Sequence, residues 1–168
     1  AYNLGMLTEA NELQRLANYL AFAGIPHRAA RVMEKAMKEG QIESTAANYK
    51  TLANYWHQAK ELDPAIDTLA KSYKLAPNAE LQLKMARMMI QSKRYQDLVA
   101  FAAKPAANAS GEQRADLKFL TGVAYFEQQK PKEALSAFTQ AAQNGNVSGR
   151  ASPWISFLKE QQGGAVTQ

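Results

Sequence analysis

Apolar residues recur along this chain at three- and four-residue steps, in stretches broken by short polar segments. That spacing lays an apolar stripe along one face of a helix. It predicts helices over 10–23, 27–39, 44–59, 62–75, 79–92, 95–103, 112–128 and 131–144, with a ninth over about 149–161. Gly24 and Gly40 close the first two. Asp63-Pro64 and Lys130-Pro131 place a proline in a first helical turn, where its missing N–H leaves no hydrogen bond unmade.

The stripes repeat. Small residues stand at Ala17, Ala53, Ala86 and Gly122, at intervals of 36, 33 and 36 residues. A large apolar residue follows three positions after each: Leu20, Trp56, Met89 and Tyr125. Twelve positions after each come Ala29, Ala65, Leu98 and Ala134; sixteen after come Met33, Leu69, Ala102 and Phe138; nineteen after come Ala36, Ser72, Pro105 and Ala141. Each unit therefore reads as two amphipathic helices joined by a tight turn, with small residues where the two backbones approach. One such pair cannot bury both of its faces, so copies stack. The columns resemble the tetratricopeptide repeat: Leu52-Ala53, Trp56, Ala65, Leu69 and Pro77 fit its pattern, and the fourth copy keeps Gly122, Tyr125, Ala134, Phe138 and Ala141. The fourth has Thr121 where leucine is usual. The third departs most, with Leu98 for alanine, Pro105 ending its second helix early and a looser loop over 106–111.

The expected fold is all-α: a right-handed superhelical solenoid of four repeats (10–43, 46–78, 79–112, 115–148) and a carboxyl-terminal capping helix over 149–161. Trp154, Ile155 and Leu158 would cover the open end of the last repeat. Residues 1–9 look like the remnant of a preceding repeat, and 162–168 like a flexible tail. The natural protein is expected to extend further upstream.

The chain has 168 residues, 46% hydrophobic and 21% charged, which suits a folded domain rather than a disordered one. It has no cysteine, which excludes disulfides, thiolate metal sites and a cysteine nucleophile. Its two histidines, His27 and His57, lie thirty residues apart, without metal-ligand spacing. No phosphate loop, His-Glu-x-x-His or nucleophile elbow occurs, so neither catalysis nor a cofactor is expected. Asn144-Gly145-Asn146-Val147-Ser148-Gly149 reads as a turn. Glu61 and Asp63 suit a helix start, and Met85, Met88 and Met89 suit packing. No run is long and apolar enough for membrane insertion in this segment. The net charge of +5 is dispersed: residues 1–84 hold ten Lys+Arg against nine Asp+Glu, and 85–168 hold ten against six. Without a basic run, nucleic-acid binding is not expected.

Surface remains as the functional element. The first helix of each repeat should line a concave face. The candidate partner-binding residues there are Lys50, Asn54 and His57, then Leu83, Arg87 and Ile90, then Phe119, Val123 and Phe126. The apolar members would either form a docking strip for a protein partner, dominated by the aromatic pair, or be covered by the capping helix or the solenoid's own curvature. A chaperone-type carboxylate clamp fits poorly: Lys50 and Asn54 match its first positions, but Lys84, Asp116 and Leu120 follow, and an acidic group repels a carboxylate.

Several strings resemble a narrower bacterial group. They are Leu16-Ala17-Asn18-Tyr19-Leu20, Gly24-Ile25-Pro26-His27-Arg28-Ala29-Ala30-Arg31-Val32-Met33-Glu34, Gly40-Gln41-Ile42-Glu43, Ala53 through Glu61, and Trp154-Ile155-Ser156-Phe157-Leu158. They are similar to the carboxyl-terminal half of Vibrio-like tetratricopeptide proteins encoded beside TonB–ExbB–ExbD energy-transduction systems. The most specific is the Pro-x-(Arg/Lys)-Ala-Ala motif. The resemblance implies a periplasmic, non-enzymatic scaffold accessory to TonB-dependent uptake of iron carriers, with a component of that complex as partner. The alternative is a general peptide- or assembly-binding module in envelope biogenesis or as a co-chaperone.

Overall fold

Four turns, one in each repeat, share a single hydrogen-bonding scheme. Gly24, Lys60, Lys93 and Gln129 have left-handed backbones, with φ of 76°, 62°, 59° and 57°. Their spacing equals that of the small residues in the sequence. Each donates its N–H to the carbonyl three residues back: Ala21, His57, Ile90 and Phe126. The next N–H donates five residues back, to Leu20, Trp56, Met89 and Tyr125. This closure satisfies carbonyls that a helix end leaves open and turns the chain straight into the next helix. Only the first repeat spends a glycine there. The others hold a Cβ-bearing residue where it ordinarily costs about 1–2 kcal/mol.

The computed structural model describes residues 10–164, which form nine helices. They are α1 (Ala10–Phe22), α2 (Pro26–Lys38), α3 (Ala46–Gln58), α4 (Leu62–Leu75), α5 (Ala79–Gln91), α6 (Tyr95–Ala102), α7 (Gly111–Glu127), α8 (Pro131–Ala141) and α9 (Gly145–Gly164). Pro26 and Pro131 open α2 and α8. Side chains start three of the first helices of repeats: Thr45, Asn78 and Ser110 accept from the N–H groups of Asn48, Leu81 and Gln113 at 3.1, 2.9 and 3.2 Å. The Gln113 side chain returns the bond to the Ser110 N–H at 2.9 Å, completing a capping box. The expected remnant over 1–9 lies outside the described residues; of the tail expected over 162–168, residues 162–164 belong to α9, which corrects that expectation, and the rest lie outside the described residues.

The chain divides into two compact units, Ala1–Pro77 and Asn78–Gln168. The division falls where the backbone leaves α4 through an extended Ala76 (φ −142°) and restarts at the Asn78 cap.

In the first unit, the repeat columns are the core. Ala17, Ala29, Met33, Ala36, Ala53, Trp56, Ala65 and Leu69 are all buried. The Tyr55 hydroxyl donates to Asn18 Oδ1 at 2.5 Å, joining the first helices of the two repeats. Burial pushes the Tyr55 phenol above its ordinary pKa. Ser72 Oγ donates to the Ala46 carbonyl at 2.8 Å and ties α4 to the start of α3.

In the second unit, α6 stops at Ala102, ahead of Pro105, as the sequence predicts. The following loop is irregular but anchored. Gln82, 2% exposed, donates through Nε2 to the Lys104 and Phe101 carbonyls at 2.9 and 3.3 Å, and its Oε1 accepts from the Ala106 N–H at 2.8 Å. Asn108 Oδ1 accepts from the Ala79 N–H at 3.0 Å. A buried amide so engaged supplies the partners that a longer helix would have provided. Met85, Met88 and Met89 are buried on α5.

The segment 144–149 corrects the reading as a turn: it opens α9, which begins at Gly145 rather than 149. The Asn144 carbonyl accepts from Val147 and Ser148, and its side chain from the Asn146 N–H at 3.1 Å. Two glycines and Pro153 oppose helix here. Burial of Val147, Ala151 and Leu158 outweighs them.

Candidate functional site

The candidate residues fall into two groups that the fold treats differently. Lys50, Asn54 and His57 lie on α3 of the first unit; Lys50 and His57 are exposed and Asn54 is half-buried. The other six belong to the second unit. Arg87 on α5 is exposed, and Ile90 is half-buried. Leu83, expected on the open face, is 7% exposed and belongs to the core.

Phe119, Val123 and Phe126 are half-buried and pack against a core of Ala134, Phe138, Val147, Ala151 and Leu158. Phe126 meets Trp154 edge-on at 5.0 Å and Phe157 at 6.1 Å. Phe119 meets Phe138 at 5.4 Å, and Phe138 stacks on Trp154 at 5.2 Å with 16° between the rings. Phe126 thus helps to seat α9, while the Phe119 ring packs on Phe138 of α8. Aromatic pairs in such edge and offset geometry add roughly 0.5–1.5 kcal/mol each beyond the area they bury.

Asp116 binds this face together. Its carboxylate pairs with Arg150 of α9 and lies 4.0 Å from Arg87 of α5. The Arg150 guanidinium also stands 5.1 Å over the Phe119 ring. Three helices of the second unit therefore share one carboxylate.

A hollow lies on the first unit away from the candidate residues, at a place that apolar periodicity alone does not mark. Arg28, Arg31, Lys35 and Lys38 form one edge along α2, and Lys71 of α4 contributes from the other side. The floor is made by the buried Val32, Met37, Leu52 and Thr68. Its volume is about 870 Å³. Lys71 Nζ sits 5.7 Å over the Tyr49 ring. The four α2 positions run at three- and four-residue steps, a basic stripe visible in the sequence that counting charges by halves of the chain hides.

Among the described residues, no group of three or more His, Cys, Asp or Glu could hold a metal ion, and no helix is long and apolar enough to cross a membrane.

No protein-family model and no curated protein matches the chain. Solved structures do. MamA of AMB-1 superposes with a TM-score of 0.63 at 21% identity, covering 90% of this chain and 81% of that one. PilF of Pseudomonas aeruginosa gives 0.62 at 16%, covering 93% and 70%. MamA 41-end from Desulfovibrio magneticus RS-1 gives 0.55 at 13%, covering 94% and 97%. At these identities the likeness establishes the fold: all-α, of the tetratricopeptide-repeat class.

Proposed function

We propose that this chain is a non-enzymatic scaffold that binds other proteins. The observation that carries the reading is the fourfold repeat: helix pairs of this class present surfaces in place of an enclosed reaction site. The narrower part of the proposal is a periplasmic role beside a TonB–ExbB–ExbD system in iron-carrier uptake. Its support is the sequence resemblance of the strings from Leu16 to Glu43, from Ala53 to Glu61 and from Trp154 to Leu158. Lys50 and His57 are the exposed candidate residues on α3, through which a component of that complex would dock.

The test is in-cell crosslinking in iron-starved bacteria, followed by capture of the chain. Recovery of a TonB-complex component, reduced by Lys50→Glu with His57→Glu, supports the reading. Recovery of cytoplasmic chaperones in its place would favour the co-chaperone alternative.

A further inference from the structure

The basic groove of the first unit has a counterpart in the second, and the comparison separates what the fold imposes from what this sequence adds. The second unit also carries a groove, of about 390 Å³, lined by Lys118, Thr121, Ala137 and Gln140. These stand 69 residues after Tyr49, Leu52, Thr68 and Lys71 of the first groove. The two hollows are the same position of the repeat, two copies apart. Their charge differs. The first is lined by Arg28, Arg31, Lys35, Lys38 and Lys71 against Glu34 alone. The second is lined by Lys118 against Glu133. Stacked helix pairs therefore make the hollow, and the cations are a property of the first unit only.

Intramolecular pairing offsets part of that charge. Arg31 lies 4.0 Å from Glu34, and Lys35 lies 3.7 Å from Glu39, in pairs that are largely exposed. Such pairs are worth little and open readily. The floor is mostly apolar, made by Val32, Met37 and Leu52 beside Thr68. Four cations at helical spacing on one wall and a fifth opposite create a positive potential inside a concave, partly apolar hollow. There it focuses on a ligand that enters it rather than spreading over a flat surface.

We propose that the α2–α4 groove of the first unit is a docking site for an acidic peptide segment of a partner protein, one with carboxylates interleaved with small apolar side chains. The carboxylates would meet Arg28, Arg31, Lys38 and Lys71, and the apolar groups would rest on Val32 and Leu52. A single-stranded nucleic acid fits less well: its phosphates ask for an extended basic track and its bases for free stacking rings, whereas the charge is confined to the first unit's hollow and the Tyr49 ring already carries Lys71. The proposal shares with the scaffold reading only the premise that the partner is a protein, and it needs no TonB-system component.

The experiment is fluorescence anisotropy of the purified chain with a labelled twelve-residue peptide of alternating glutamate and alanine or valine. A lysine-for-glutamate peptide, a single-stranded oligonucleotide and anionic phosphatidylglycerol vesicles serve as competing probes. The expected result is saturable binding of the acidic peptide alone, weakened roughly tenfold or more by Arg31→Glu with Lys71→Glu. The matched control Lys118→Glu in the second groove should leave binding unchanged. Both variants alter exposed side chains, and circular dichroism checks that helicity is kept. Equal loss in the Lys118→Glu control would overturn the proposal, as would absence of peptide binding or preferential binding of the oligonucleotide or vesicles. Capture of a TonB-complex component without peptide binding would sink this site and leave the scaffold reading standing.

Discussion

Gly122 on α7 lies under the ring of Phe138 on α8: a Cβ built on the glycine would stand 2.8 Å from the Phe138 Cδ1 and Cε1 atoms. No real Cβ contact is that short, so this position of the fourth repeat admits only hydrogen. The other repeats carry alanine at the matching place, opposite Met33, Leu69 and Ala102. The flat, fully buried phenylalanine explains the exception.

Gly122→Ala should therefore destabilise the protein by about 1–3 kcal/mol, although alanine favours helix by about 1 kcal/mol. Combining it with Phe138→Leu should cost less than the two single changes together. A double-mutant cycle from urea denaturation measures the coupling. Strict additivity would mean that the two residues are not in contact.

The left-handed residues of the repeat turns give a stability series. Lys60→Gly, Lys93→Gly and Gln129→Gly should each be neutral or stabilising by up to about 1 kcal/mol, since relief of backbone strain opposes the greater freedom of glycine in the unfolded chain. Gly24→Ala should destabilise by roughly 1–2 kcal/mol. Thermal melts of the four variants test the order. A stabilised Gly24→Ala would contradict the shared turn geometry.

Gln82→Leu keeps the side-chain bulk and removes the amide. It leaves the Lys104 carbonyl and the Ala106 N–H without their partner. A loss of about 1–3 kcal/mol is expected. Amide exchange at Ala106 should accelerate well beyond the change in the centre of α7. Unchanged protection at Ala106 would show that the loop is held by other means.

Trp154→Ala removes the ring that stacks on Phe138 and meets Phe126. The side chain is half-buried, so the expected cost is about 2–3 kcal/mol, below that of a fully enclosed tryptophan. Phe119→Ala with Phe126→Ala should likewise lower the melting temperature. Full stability with loss of partner capture would return these rings to a docking role.

The sequence by itself determined the repeat. Apolar periodicity marks where helices lie, and the columns from Ala17 to Gly122 and from Ala29 to Ala134 name the close contacts, because burying a helix pair demands small residues at fixed intervals. It carried the charged stripe Arg28, Arg31, Lys35 and Lys38 as well, since helical spacing is a local property. Other features rest on partners distant in the chain, and the tertiary structure decided those. Lys60, Lys93 and Gln129 carry no mark of a left-handed backbone; helix closure on both sides imposes it. The glycines of 145–149 argue locally for a turn, and only the burial of Val147 and Ala151 makes that segment helix. Phe119 and Phe126 spell the same apolar strip whether a partner or α9 covers it. Phe126 packs as it does because Trp154 and Phe157 arrive on the same face, and Phe119 because Phe138 does, contacts between segments that no periodicity within any one of them encodes.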